Sequence, residues 1–219
     1  MVKNLQYFQE EENRFCEEHP DYNEFYYDSN IGEMSIYGID DPLLYLSDRI
    51  FSKETDAKPM GNEIEYGFND AQIVFLRLFY GRYSYIFRDD YYGMNRPDFV
   101  QNLLDTLDDM IAKAPQNTDP VLYRFCTDYD QCDMHIGDEI TIPHNLTCTN
   151  EDWQQDNKNV YIITPLQNGK TRAHNLFEIY HHGDEHQVDF LRGTIFKVTD
   201  ILGNAETGYR KFYLEEMEQ

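Results

Sequence analysis

Residues 185–201 have the sequence EHQVDFLRGTIFKVTDI, and this stretch decides how the C-terminal half of the chain folds. Its segments HQVDF and IFKVTDI are rich in β-branched and aromatic residues, and Gly193 lies between them. Such residues favour extended strands, and a glycine between two strand-like segments is typical of a turn. The stretch therefore predicts a strand, a turn and a returning strand.

The first of these strands carries polar residues at alternate positions. Because side chains alternate along a strand, Glu185, Gln187 and Asp189 are expected on one face. Val188 and Phe190 are expected on the other face. The strand is thus predicted to have one apolar face and one polar face that carries functional groups.

An arginine stands in an earlier strand-like segment, LYRFC. Arg124 is flanked by Tyr123 and Phe125, so the arginine and the two aromatic residues are predicted on opposite faces, one of them core and the other cleft. The guanidinium group suits a dinucleotide because its N–H donors can bind phosphate oxygens in parallel pairs. The alternative is a surface ion pair with one of the many acidic residues.

A pair of hydroxyl residues lies between these two segments, in LTCTN. Thr147 and Thr149 are expected on one face of a strand, with Cys148 pointing away. Alternating threonines are ordinary strand residues, so this pattern indicates a site only together with the other two.

The order of the three patterns resembles that of the NAD-dependent mono-ADP-ribosyltransferases, a class with toxin members. Their catalytic strands carry an Arg, a Ser/Thr-x-Ser/Thr triplet and a Glu-x-Glu. The resemblance implies that the chain binds NAD as a substrate and transfers ADP-ribose to a protein side chain. It places Arg124 on the NAD phosphates, with Thr147 and Thr149 ordering the site. It also implies that Glu185 activates the acceptor and that Gln187 holds the ribose hydroxyl.

Gln187 departs from this family pattern, because it occupies the position of the catalytic Glu. Glutamine keeps the hydrogen bond but not the negative charge, and losing one such electrostatic group typically costs ~10²–10³ in rate. Glu185 and Asp189 are the carboxylates available to replace it. The sequence leaves two alternatives, a slowed transferase or a catalytically impaired pseudoenzyme that acts as an acidic protein-binding or inhibitory module.

The length and composition predict one α+β domain over residues 1–219. Apolar residues make up 41% of the chain, which is enough for a folded core. Residues 1–118 are predicted to be mainly helical, with helices over NDAQIVFLRLFY (69–80) and between Pro97 and Pro115. Residues 119–219 are predicted to be mainly β, and the resemblance implies that they form an ADP-ribosyltransferase-like two-sheet β core that binds NAD, with the helical part packed on it.

The net charge of −23 bears on the partners of the chain. A field of this sign repels nucleic acids and anionic membrane surfaces, so neither is expected as a partner. It also repels NAD, and a dinucleotide site must therefore be locally basic. The candidate basic residues are Arg124, Lys170, Arg172 and Arg192.

The N-terminal sequence MVKNLQYFQEEENRF contains no apolar segment of the kind found in signal peptides. No stretch approaches the ~20 apolar residues that a membrane span needs. The chain is therefore predicted to be cytoplasmic in the cell that makes it, and delivery into a target cell is left open.

Histidines and cysteines raise two further alternatives. Imidazoles close to carboxylates are ordinary zinc ligands, but adjacent histidines on an extended segment point to opposite faces and no H-x-x-x-H spacing occurs, so no metal is predicted. The residues of this cluster are His174, His181, His182, Asp184, Glu185 and His186. Cysteines without a C-x-x-C pair are predicted to be reduced thiols. They are Cys16, Cys126, Cys132 and Cys148.

Overall fold

The chain folds into two compact units, Met1–Lys113 and Ala114–Gln219. The computed structural model describes residues 1–20, 42–53, 57–81, 83–87, 98–126, 134–153, 158–181, 185–203 and 208–219. The boundary between the units lies close to the predicted division at residues 118 and 119. That the whole chain is a single domain stays a prediction. Of the helices described, none is both long enough and apolar enough to cross a lipid bilayer.

The first unit is helical, as predicted. Its α-helices are α1 (Leu5–Glu18), α2 (Asp70–Tyr80) and α3 (Asp98–Lys113). Two 3₁₀ helices, Pro42–Asp48 and Ser84–Phe87, complete the described part of this unit. Its core is strongly aromatic because Phe8, Phe51, Phe75 and Phe87 are buried and in ring contact along one series.

Both helices predicted from the sequence are confirmed. The α2 helix begins with a capping box, in which the side chains of Asn69 and Gln72 each accept a hydrogen bond from the other's backbone N–H. In α3 the apolar residues from Phe99 to Ile111 recur at three- and four-residue steps and are buried. Pro97, which was expected in the first turn of that helix, lies outside the described residues.

The second unit is built from strands. They are β1 (Leu122–Cys126), β2 (Glu139–Thr141), β3 (Leu146–Thr149), β4 (Asn159–Thr164), β5 (Ala173–Asn175), β6 (Gln187–Phe190), β7 (Ile195–Gly203) and β8 (Arg210–Glu216). A short 3₁₀ helix, Leu176–Glu178, follows β5. The strands predicted in LYRFC, LTCTN, HQVDF and IFKVTDI are confirmed as β1, β3, β6 and β7, with the predicted turn between β6 and β7. The three-residue β5 was not predicted.

The eight strands form one hydrogen-bonded sheet in the order β2-β7-β8-β4-β1-β3-β6-β5. All neighbouring pairs are antiparallel except β4 and β8, which are parallel. Strand pairing is weakest at the centre of the sheet, at the joint between β1 and β3, which share a single residue pair, Tyr123 with Thr149. By contrast, β1 and β4 are paired along the whole of β1.

The two halves of this sheet fold over each other and share one core. In the sheet order β6 and β7 are five positions apart, a distance of roughly 24 Å across a flat sheet. The rings of Phe190 on β6 and Phe196 on β7 nevertheless lie 5.0 Å apart. The predicted α+β class is confirmed. The two predicted sheets are the two halves of one sheet, joined where β1 meets β3.

Candidate functional site

A cleft opens at the joint between β1 and β3. Its cavity has a volume of about 210 Å³. It is lined by Tyr123, Arg124, Phe125, Thr147, Cys148, Thr149, Trp153, Glu185 and Gln187. The structure thus brings together all five residues that the sequence analysis placed in the site, although they come from three strands and a loop. Their catalytic and NAD-binding roles stay predictions.

Arg124 spans the gap between the two strands. Its Nη1 donates a hydrogen bond of 3.2 Å to the backbone carbonyl of Thr147. Leu122 and Cys126 lie on the same face of β1 as Arg124, and both are buried in the core. The predicted separation of the arginine and the aromatic residues into cleft and core is therefore wrong. β1 is the last strand of its half of the sheet and lies next to the cleft. Residues on both faces of β1 therefore line the cleft.

A buried carboxylate stands directly behind the cleft. Asp189 is fully buried, and it accepts a hydrogen bond of 2.7 Å from the Thr147 hydroxyl and one of 2.8 Å from Gln187 Nε2. Strand register explains this arrangement, because Thr147 pairs with Asp189 and Thr149 pairs with Gln187 across β3 and β6. Each oxygen of the carboxylate thus holds one residue of the cleft wall.

Burial raises the pKa of Asp189 from 3.8 to about 7. Removal from water disfavours the charged form, and this effect exceeds the opposing influence of the hydrogen bonds from Thr147 and Gln187 and of the positive charge on Arg124. A carboxyl group with a pKa near 7 changes its charge within the physiological range. Perturbed groups of this kind concentrate at functional sites.

The two predicted hydroxyl residues have different environments. The hydroxyl of Thr147 donates to Asp189, as described above. The hydroxyl of Thr149 instead accepts a hydrogen bond of 3.2 Å from the backbone N–H of Glu151, which closes a tight turn at the end of β3. Thr147 therefore contacts the buried charge, whereas Thr149 shapes the chain that follows.

Glu185 lines the cleft from outside the strand. The β6 strand begins at Gln187, and His186 has a left-handed backbone with φ of 43°. This turn breaks the regular alternation of side chains, so the expectation that Glu185 shares a strand face with Gln187 and Asp189 is wrong. The Glu185 side chain is exposed, whereas Gln187 is only 4% exposed.

The aromatic wall of the cleft was not predicted from the sequence. Phe125 and Trp153 stack with their ring centroids 5.0 Å apart and their planes 11° from parallel. The indole Nε1 donates to Glu151 Oε2 at 3.4 Å. Trp153 is the single tryptophan of the chain, and it closely follows the strand that carries Thr147 and Thr149. These two features could have indicated the aromatic wall.

Of the four basic residues proposed for a dinucleotide site, Arg124 lines the cleft and the other three do not. Lys170 forms an exposed ion pair with Glu218. Arg172 donates from Nη2 to the backbone carbonyl of Arg192 and from Nε to a threonine hydroxyl. Among the described residues that line the cleft, Arg124 is therefore the cation that a ligand would meet.

The described histidines of the predicted cluster stack on a phenylalanine ring or are buried. Phe177 lies between two imidazole rings, with centroid distances of 4.4 Å to His181 and 4.3 Å to His186. His174 is buried against the backbone carbonyl of Ala114, and burial lowers its pKa. His182 and Asp184 lie outside the described residues. Within the part of the chain that the structure describes, no three potential ligands are grouped to hold a metal ion.

The three described cysteines are buried thiols. Cys16, Cys126 and Cys148 are free and buried, in line with the predicted reduced thiols, while Cys132 lies outside the described residues. Cys148 lies between the two threonines with its side chain in the core, and burial strongly raises its pKa. A thiol of this kind stays protonated, and the thiolate is the nucleophilic form.

Comparison with known proteins gives a match in fold. No protein-family model and no curated protein matches the chain. The C3 exoenzyme of Clostridium limosum is 10% identical, with a TM-score of 0.54, over 78% of this chain and 94% of the exoenzyme. Plx2a, an ADP-ribosyltransferase toxin from Paenibacillus larvae, is 11% identical, with a TM-score of 0.55, over 78% of this chain and 96% of the toxin.

A third similar structure is C3stau2 from S. aureus, solved with NAD. It is 11% identical, with a TM-score of 0.54, over 77% of this chain and 96% of C3stau2. Identities this low carry information on the fold alone. The chain has the fold of the ADP-ribosyltransferase toxins, which confirms the fold that the sequence resemblance implied.

Proposed function

We propose that the chain binds NAD in the β1–β3 cleft and transfers ADP-ribose from it to a protein side chain. The observation that carries this proposal is the gathering of Arg124, Thr147, Thr149, Glu185 and Gln187 around one cavity. The fold, shared with ADP-ribosyltransferase toxins, supports it. One of those similar proteins, C3stau2, was solved with NAD.

The cleft suits one end of the NAD molecule. Its volume of about 210 Å³ is below the roughly 300–1,000 Å³ of pockets that enclose a drug-sized ligand. We therefore assign the nicotinamide and its ribose to the cavity and the remainder of NAD to the surface beside it. The guanidinium of Arg124 would bind the phosphates, and the stacked Phe125 and Trp153 offer an aromatic wall to a planar ring.

The reaction would take place at the anomeric carbon of the nicotinamide ribose. The bond from that carbon to nicotinamide breaks, and its electron pair leaves with the nicotinamide. The acceptor side chain forms the new bond to the same carbon, and its proton passes to a base. Glu185, exposed at the cleft, is the group we assign as that base. Gln187 would accept a hydrogen bond from the ribose hydroxyl while positive charge develops on the ring.

The assay that tests this function measures free nicotinamide after incubation with NAD and a mixture of candidate protein acceptors. We expect release by the wild-type chain and a loss of at least tenfold in Arg124→Ala. Lys170→Ala is the matched control, because it removes one positive charge from an exposed pair outside the cleft. Equal release by both variants, or no release by the wild type, would contradict the transferase proposal.

A second candidate function is a binding or inhibitory module of the same fold. It is favoured by the uncharged Gln187 at the carboxylate position and by the net charge of −23, which suits a basic protein partner. NAD binding without nicotinamide release would support this alternative. A transferase would instead release nicotinamide and label an acceptor.

A further inference from the structure

The amide of Gln187 has a defined orientation. Its Nε2 donates to Asp189 Oδ2 at 2.8 Å, and an ionised carboxylate can only accept hydrogen bonds. The amide nitrogen therefore faces Asp189. The carbonyl oxygen Oε1 is left for the cleft that Gln187 lines. Among the described residues, the structure gives this oxygen no hydrogen-bond donor.

The Asp189 carboxylate is itself held in place. Its other oxygen accepts from the Thr147 hydroxyl at 2.7 Å, and cross-strand register places Thr147 directly opposite. Thr147, Asp189 and Gln187 thus form a chain of hydrogen bonds in which the buried carboxylate joins two residues that line the cleft. In such a chain each bond polarises the next, so the negative charge behind Gln187 makes its carbonyl oxygen a stronger acceptor.

We propose that Asp189 is a positioning residue, which fixes Gln187 with its carbonyl oxygen toward the cleft and polarises that oxygen to bind a hydroxyl donor of the ligand. This inference deepens the proposed function and rests on it, because the hydroxyl in question would be that of the NAD ribose. Asp189 thereby supplies the negative charge that Gln187 lacks, and the Gln187 amide lies between this charge and the ligand.

Protonation of Asp189 would reverse this arrangement. A protonated carboxyl can donate to the amide oxygen, and the amide then turns its N–H groups toward the cleft. Among the described residues, three titratable or charged groups lie near Asp189, one on each of three strands. They are Arg124 on β1, Cys148 on β3 and His174 on β5, which is the cross-strand partner of Asp189. Burial favours the neutral forms of the thiol and the imidazole, so Arg124 supplies the fixed charge.

The test is a double-mutant cycle on the pair. The four proteins are the wild type, Asp189→Asn, Gln187→Glu, and the variant with both changes. In the double variant the exchanged groups can still satisfy each other, because the new amide donates to the new carboxylate and accepts from Thr147. Gln187→Glu alone places two carboxylates in contact. Asp200→Asn, at an exposed position on β7, is the control for an aspartate-to-asparagine change.

Two measurements on these proteins separate the inference from the proposed function. Urea unfolding, without ligand, is expected to show that each single change destabilises the fold and that the double change recovers most of the loss. With NAD, Asp189→Asn is expected to bind roughly tenfold more weakly than wild type, and NAD affinity of the wild type should rise as pH increases through about 7. The control should bind as wild type does.

Two results would overturn the positioning role. One is additivity in the unfolding cycle, in which the double variant loses as much free energy of unfolding as the two single variants together. The two side chains would then not act together. The other is NAD binding by Asp189→Asn that equals wild-type binding at every pH. If the wild type itself does not bind NAD, the proposed function fails, and the unfolding cycle alone then decides whether Asp189 positions Gln187.

Discussion

Two buried carboxylates of the second unit, Asp189 and Glu216, differ in what they hold. Glu216 accepts hydrogen bonds from the backbone N–H groups of Leu166 and Arg172 and from the hydroxyl of Thr171, at 2.6 to 2.8 Å. These partners belong to the loop before β5, so Glu216 fixes backbone. Asp189 instead accepts from two side chains that line the cleft.

This difference separates a carboxylate that fixes backbone from one that fixes side chains. A carboxylate bound mainly by backbone N–H groups determines where a loop runs. A carboxylate bound by side chains determines how those side chains are presented, and here both belong to the wall of a cavity. Burial alone therefore does not distinguish the two regions, whereas the identity of the hydrogen-bond donors does.

The largest effect is expected from Glu216→Gln. The N–H₂ group of the glutamine would point at a backbone N–H that needs an acceptor. One hydrogen bond is then lost, and two hydrogen-bond donors face each other. We expect a loss of about 3 kcal/mol in the free energy of unfolding, measured in urea. A loss below about 1 kcal/mol would show that the loop does not depend on this carboxylate.

A smaller, pH-dependent effect is expected from Asp189→Asn. Because the folded-state pKa of Asp189 is raised from 3.8 to about 7, the wild-type fold holds a proton that the unfolded chain has released. This group's contribution to stability is thus full below about pH 4 and is lost as pH rises through about 7.

The variant lacks this titration. Its free energy of unfolding relative to wild type should therefore rise by about 2 kcal/mol between pH 5 and pH 8. Urea unfolding at the two pH values measures the change. A constant difference between the two proteins would show that Asp189 does not titrate in this window.

The smallest expected effect concerns the aromatic wall. Trp153→Ala removes the stack on Phe125, and such ring pairs contribute about 1 kcal/mol. We expect NAD affinity to fall roughly fivefold, as measured by calorimetry. Trp153→Phe should retain most of the affinity, because it keeps a ring against Phe125. Equal loss in both variants would point to the indole N–H, which contacts Glu151, rather than to stacking.

Much of the fold was predictable because its signals are local. The capping box of Asn69 and Gln72 and the apolar spacing of α3 identify two helices without any tertiary contact. The β-branched and aromatic segments likewise identify most of the strands. The β5 strand has the sequence AHN, which carries no such preference, and it exists because it pairs with β6. No local pattern predicts a strand of that kind.

The residues that form the candidate site could be predicted from the sequence, but their arrangement could not. The order of Arg124, Thr147 and Gln187 along the chain indicated that they meet, and they do. The hydrogen bonds of Asp189 depend on the register between β3 and β6, which is a tertiary property. The left-handed backbone at His186, which moves Glu185 off the strand, is a non-glycine exception that residue preferences do not predict.

NAD binding in the cleft is best measured by calorimetric titration at pH 8 on the wild type, Arg124→Ala and Lys170→Ala in parallel. We expect binding by the wild type, unchanged binding by Lys170→Ala, and at least tenfold weaker binding by Arg124→Ala, because Arg124 is the cation among the described residues of the cleft. An absence of binding by the wild type, or equal affinity of Arg124→Ala and wild type, would contradict NAD binding in the cleft.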